Sequence, residues 1–138
     1  MSTYPEYMVS PMREELNVAG FEQLRSAEEV KNALALEGTV FLVVNSVCGC
    51  AAANARPAIT MAVQNEKKPD HLVTVFAGME KDAVDEARHA MLPYPPSSPA
   101  MALFKDGKLV HMIERHHIEG RRAQMIADNL VEAFNEYC

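Results

Sequence analysis

The run Thr39-Val-Phe-Leu-Val-Val44 is apolar or β-branched at every position. A strand with one wet face alternates polar and apolar residues. An unbroken run suits a strand buried on both faces, inside a sheet that carries helices on each side. The flanking sequence supplies those helices. Before the run, Ser26-Ala-Glu-Glu29 is a capping box, Val30, Ala33 and Leu34 recur at helical spacing, and Gly38 closes the segment. After it, Ala55, Ala58, Ile59, Ala62 and Val63 mark a second helix, which Pro57 should kink. Leu72 to Phe76 reads as the next strand, and Ala83, Val84, Ala87 and Met91 as the next helix. Pro93 to Pro99 is a proline-rich irregular connection. Met101–Lys105 and Lys108–Ile113 flank Asp106-Gly107, a two-residue hairpin signal. A last helix carries Ala123, Ile126, Ala127, Leu130, Ala133, Phe134 and Tyr137 on one stripe. At the N-terminal side, Ser10-Pro11 reads as an N-cap followed by proline at the first helical position, with the helix running to about Val18 and a stop at Gly20. Phe21 to Leu24 reads as a short strand. The order is helix, then β-α-β-α-β-α-β-β-α. That pattern gives an α/β fold: a mixed central sheet, helices on both faces and an extra N-terminal helix.

The chain has 138 residues, the size of one domain, and residues 1–20 form its helical extension. Thirteen Lys and Arg against nineteen Asp and Glu give a formal charge of −6, which disfavours nucleic acid and anionic membrane surfaces as partners. No apolar run approaches the ~20 residues needed to cross a bilayer. The opening residues lack the basic flank and apolar stretch of a secretion signal, so the expected location is cytoplasmic. Three cysteines are too few for a disulfide scaffold. In a reducing compartment, a disulfide between them would be transient chemistry.

The chemistry centres on Asn45-Ser-Val-Cys-Gly-Cys50, where the buried strand ends and a helix begins. Reactive groups in open α/β sheets favour that edge. The thiolate is the nucleophile, and unpaired N–H groups and the helix dipole favour a negative sulfur there. The dipole supplies about 0.3–1 kcal/mol, up to ~2 when partly buried, against ~1.4 kcal/mol per tenfold change; this makes a moderately activated cysteine, and direct hydrogen bonds to sulfur must add any further effect. Cys48, the first cysteine at the junction, faces solvent and is assigned the attack. Cys50, more enclosed by the helix, is assigned the resolving role. A disulfide across the single residue Gly49 closes a small ring; glycine eases it, but strain should make the couple more oxidising than a cytosolic reductase. Asn45 and Ser46 can hydrogen-bond the turn, although strand-end capping explains them equally well.

Other candidates have plainer readings. His111, on the hairpin, and His116 and His117, in the loop beyond, together with the two cysteines could form a zinc or copper site. They read better as surface residues, so no metal is assigned. Arg56 reads as an exposed helix residue, with support of a thiolate as the sharper alternative. Cys138 reads as a frayed terminal thiol, with a third redox cysteine as the alternative.

The element order, the cysteines after the central strand and Ser98-Pro-Ala-Met-Ala-Leu-Phe-Lys-Asp-Gly107 are similar to thioredoxin. The resemblance implies a thioredoxin-like fold, with Pro99 matching the cis-proline beside the cysteines. It also implies that backbone groups of Ser98 and Pro99 hold an incoming substrate strand or thiol. More closely, the chain resembles the bacilliredoxin family, Cys-Gly-Cys proteins also described as disulfide isomerases. The matching segments are Pro11-Met-Arg-Glu-Glu-Leu16, Val44-Asn-Ser-Val-Cys-Gly-Cys50, Ala55-Arg-Pro57, Phe76-Ala-Gly78, Ile113-Glu-Arg-His116 and Ile118-Glu-Gly120. The resemblance implies a thiol–disulfide oxidoreductase that removes bacillithiol from protein mixed disulfides. Bacillithiol is then a co-substrate with no bound cofactor, and the partners are bacillithiolated cytosolic proteins. Reduction or isomerisation of protein disulfides is the enzymatic alternative, and a metal carrier using Cys48 and Cys50 the non-enzymatic one. Two departures from thioredoxin argue against a general reductase. Leu42 stands where thioredoxins bury an acidic residue, and the chain has no tryptophan. The segment Gly78-Met-Glu-Lys81 is less polar than the family's usual sequence.

Overall fold

The computed structural model describes residues 2–138. Helix α1 (Glu6–Val18) is followed by β1 (Glu22–Gln23), α2 (Ala27–Leu34), β2 (Thr39–Asn45), a π-helical turn (Ala51–Ala55), α3 (Arg56–Ala62), β3 (His71–Phe76), α4 (Lys81–Ala90), β4 (Ala100–Lys105), β5 (Lys108–Ile113), α5 (Arg115–Ile118) and α6 (Ala123–Tyr137). The five strands form one sheet in the order β1-β3-β2-β4-β5. β2 runs parallel to β3 and antiparallel to β4, so the sheet is mixed as the element order requires.

All of β2 is buried. Its alternate residues serve two cores. Phe41 and Val43 pack with Leu16 of α1, Ile59 of α3 and Leu130 and Phe134 of α6. Val40, Leu42 and Val44 pack on the opposite face with Val30 of α2, Val84 and Ala87 of α4, and Phe104 of β4. Burying both faces of the central strand anchors its carboxyl end, where the cysteine turn begins. Asp106, at φ 49°, and Gly107, at φ 82°, make the β4–β5 hairpin; both angles lie where a two-residue turn needs them.

Four local expectations need correction. Ser10 does not start a helix: α1 begins at Glu6 and carries Pro11 in its interior. The buried positions Val9, Arg13 and Leu16 hold that face to the rest of the protein, and this packing overrides the missing proline N–H. Ser26 caps α2 by accepting the Glu29 N–H, but Glu29 returns its carboxylate to the Arg25 N–H, not to Ser26. Pro57 introduces a change of helix type rather than a simple kink. It cannot donate to the residue four positions back, and the turn before it widens so that the Arg56 N–H reaches the Ala51 carbonyl. Finally, His116 and His117 lie on the short helix α5, not in a loop.

Candidate active site

β2 ends at Asn45, and Ser46 to Cys50 turn directly into the helical segment. Cys48 and Cys50 are both free thiols and both half-buried, so the expected contrast between an open and an enclosed cysteine is small. Their electrostatic surroundings differ more. Burial pushes the Cys48 thiol up, but donors aimed at its sulfur outweigh it. These are the Cys50 thiol, the Ala51 N–H, the Ser46 hydroxyl and the Cys50 N–H, and together they hold Cys48 below the ordinary thiol value. Cys50 moves the opposite way: burial raises it, and so do its hydrogen bond to the Cys48 sulfur and the charge of that sulfur. The Arg115 charge lowers Cys50 and that of Glu119 raises it. The two shifts run in opposite directions, so ionisation is favoured at Cys48 and opposed at Cys50.

The turn is braced from beneath. The Asn45 side-chain oxygen accepts the Ser46 N–H at 2.9 Å, and the Ser46 hydroxyl accepts the Cys48 N–H at 3.2 Å. Asn45 and Ser46 thus do shape the turn. Arg56 is not exposed, as its helical position had indicated, but only 3% accessible. It donates to the Asn45 side-chain oxygen at 3.1 Å and to the Ser46 carbonyl at 2.9 Å, and its Nε lies 3.1 Å from the Glu15 carboxylate of α1. A buried guanidinium with a planar fork suits this task, because it binds both ends of a short turn at once. Through these contacts Arg56 fixes the turn.

The Ser98–Pro99 peptide is cis. Val44 of β2 lies opposite Ala100 of β4, so one further step along the antiparallel register sets Pro99 across from Asn45, at the sheet edge where the cysteine turn starts. Pro99 is buried and Ser98 half-buried. A residue overlooked in the sequence completes the site. Arg115, first in α5, donates through Nη1 to the Ser98 carbonyl at 3.1 Å, and its backbone N–H lies 3.3 Å from the Ser97 hydroxyl. Its Nε pairs with Glu119. The Asn54 side chain donates to the Ile118 carbonyl at 3.3 Å, which ties the π-helical turn to the end of α5. Seventeen residues separate Arg115 from Ser98, and no local pattern marks such a contact.

The other candidates lie apart. Cys138 is exposed and within hydrogen-bond reach of the Thr39 side chain, at the opposite end of β2 from the cysteine turn. Seven strand residues separate the two ends by roughly 20 Å, too far for exchange within one molecule. Glu114, His116 and His117 bring donor atoms within 4.8 Å of one another, without either cysteine. His117 Nδ1 accepts the Glu114 N–H at 3.0 Å, so the neutral ring keeps its proton on Nε2 and has no lone pair free for a metal. His111 is likewise engaged, 2.8 Å from the Asn129 side-chain oxygen, and of these three histidines His116 alone is exposed. Leu42 is fully buried among apolar side chains, so no carboxylate approaches the cysteines from the central strand.

A family model described as disulphide isomerase matches residues 4–138. A bacilliredoxin from Cytophaga hutchinsonii is 55% identical over 133 residues, covering 96% of this chain and 98% of that protein. The chain belongs to the bacilliredoxin family. A second bacilliredoxin, from Geobacillus kaustophilus, is 53% identical over 140 residues, with 98% of this chain and 97% of that protein aligned. Solved thioredoxins share the fold. The Fasciola hepatica protein superposes with a TM-score of 0.59 at 15% identity, over 85% of this chain and 99% of that one. A thioredoxin mutant from Halobacterium salinarum gives 0.57 at 16% identity, over 86% and 91%. Family and fold together make this bacilliredoxin-family chain a thiol–disulfide oxidoreductase of thioredoxin fold. No helix among the described residues is long and apolar enough to cross a membrane.

Proposed function

We propose that the chain removes bacillithiol from protein mixed disulfides, with Cys48 attacking and Cys50 resolving. One observation carries the order of the two cysteines: the hydrogen-bond donors of the turn converge on the Cys48 sulfur, and one of them is the Cys50 thiol. In the first step the Cys48 thiolate attacks the bacillithiol sulfur. The S–S bond to the substrate protein breaks, the protein leaves as a thiolate and takes up a proton, and bacillithiol remains on Cys48. In the second step Cys50 loses its proton to solvent and attacks Cys48. The Cys48–Cys50 disulfide forms and bacillithiol departs as the thiolate. Ser98 and Pro99 would hold the incoming chain or thiol through backbone groups. The identity of the small thiol is supported by the bacilliredoxin relatives.

The family description favours a second reading, isomerisation or reduction of protein disulfides. Against it stands the apolar central strand behind the cysteines, where Leu42 is fully buried and supplies no proton acceptor. A paired assay separates the two. A bacillithiolated protein and an intact protein disulfide are offered to wild type, Cys48→Ala and Cys50→Ala. The proposal expects wild type to act on the first substrate well above the second, and Cys48→Ala to be inactive. Undiminished debacillithiolation by Cys48→Ala overturns it, and preference for the intact disulfide favours the second reading.

A further inference from the structure

Arg115 takes no part in the exchange of the two sulfurs, yet the fold fixes its charge beside them. Three anchors fix it: Nη1 on the Ser98 carbonyl, the backbone N–H on the Ser97 hydroxyl, and Nε on Glu119. The Asn54–Ile118 contact then holds α5 against the turn that follows the cysteines. The charge therefore stands over the junction of the cis-proline segment and the cysteine helix. Both sulfurs interact with it.

The second step poses an electrostatic problem that this placement answers. In the reduced protein burial and the hydrogen bond to the Cys48 sulfur make Cys50 the harder of the two to ionise, and so the poorer nucleophile. Once Cys48 carries a small thiol, its negative charge has left with the protein product. Cys50 then loses both the acceptor that held its proton and the repulsion that opposed its ionisation. The charged and titratable groups that act on Cys50 are Cys48 on its own turn, and Arg115 and Glu119 across from it. With Cys48 capped, Arg115 is the one cation left in that set. Glu119 opposes it, but its carboxylate is already paired with the Arg115 Nε.

We infer that Arg115 is the positioning residue of the resolving step: held on the Ser98 carbonyl, its guanidinium favours the Cys50 thiolate once Cys48 is capped. The inference rests on the two-step reading above. The Arg115 charge also reaches Cys48, but the donors around that sulfur are the Cys50 thiol, Ser46 and backbone N–H groups, so attack depends on it little. Resolution, which lacks those donors, depends on it more. Arg115 touches neither reacting atom and acts through its field on Cys50.

A neutral reporter disulfide, dithiodipyridine, tests this with either outcome legible. The reduced protein in a Cys138→Ser background is mixed rapidly with the reagent. The first coloured thione is released as Cys48 attacks, in a phase whose rate scales with reagent concentration. The second is released as Cys50 closes the disulfide, in a phase independent of it. Arg115→Gln should leave the first phase within about twofold and slow the second by about fivefold at neutral pH, the size expected for a charge partner that is partly open to water. The pH at which the second phase reaches half its maximum should rise, and Arg115→Lys should restore most of the rate. Equal slowing of both phases would mean that Arg115 merely holds the Ser98 segment, and an unchanged second phase would mean that its charge is irrelevant; either overturns the inference. Because the reporter needs no bacillithiolated protein, a failure of the substrate assignment leaves this test intact. A wild-type protein that releases only one thione would instead reject the two-step reading itself.

Discussion

Replacing Ser46 by alanine removes one of the donors that lower the Cys48 thiol, and with it part of the thiolate population at a given pH. The hydroxyl is buried, accepts the Cys48 N–H at 3.2 Å and is one of four groups that lower the Cys48 thiol. A hydrogen bond to a charged group contributes about 1.5–3 kcal/mol, and a half-buried sulfur, a weak acceptor, argues for a value just below that range, about 1 kcal/mol. At any pH well below the titration midpoint, that loss cuts the thiolate fraction roughly fivefold. The remaining thiolate is more basic. With a Brønsted coefficient of about 0.4–0.5 it is intrinsically about twofold more reactive. The first-phase rate with dithiodipyridine should therefore fall about two- to threefold at low pH and exceed wild type about twofold at high pH. The two pH profiles cross. Ser46→Thr, which keeps the hydroxyl, should follow wild type. Superimposed profiles, or a uniform loss at every pH, would refute the claim that this hydroxyl tunes the sulfur.

Other consequences test different parts of the structure. Arg56→Met should cost about 2–4 kcal/mol of stability, because it leaves the Asn45 oxygen, the Ser46 carbonyl and Glu15 without their shared partner; thermal unfolding reads it, and an unchanged midpoint would contradict the bracing role. Cys48 is held below the ordinary thiol value, so its contribution to stability is present above the unfolded-state pKa and fades as pH falls through the folded value. Denaturant titrations of wild type and Cys48→Ser should therefore diverge as pH rises towards and past the ordinary thiol range; parallel curves would contradict the shift. His117 is held below its usual value by burial first, then by neighbouring His116, so folding should weaken as pH drops below about 6.5, and His117→Gln should lessen that acid sensitivity. Cys138→Ser should leave both exchange phases unchanged, since that sulfur lies at the far end of β2.

Much of the fold was legible because period and composition agreed with burial. The unbroken run from Thr39 to Val44 could serve only as a central strand, and Asp106-Gly107 could serve only as a tight turn. The cysteine pair at the end of that strand was legible for the same reason: β2 dictates where its carboxyl end emerges. What the sequence hid was long-range polar contact. Arg56 has the spacing of an exposed helix residue, and nothing nearby reveals that Asn45, Ser46 and Glu15 enclose it. Arg115 and Ser98 meet because the β4–β5 hairpin folds back on itself, which local periodicity does not express. Ser10-Pro11 misled because a helix-start signature was overridden by packing at Val9, Arg13 and Leu16.

The most direct measurement is the location of the small thiol after one turnover with Cys50→Ala. The reduced variant is mixed with a bacillithiolated protein, quenched in acid and digested, and the adduct is mapped by mass spectrometry. The account requires nearly one bacillithiol per chain, on Cys48. An adduct chiefly on Cys138, or transfer of the substrate protein instead of the small thiol to Cys48, would contradict it.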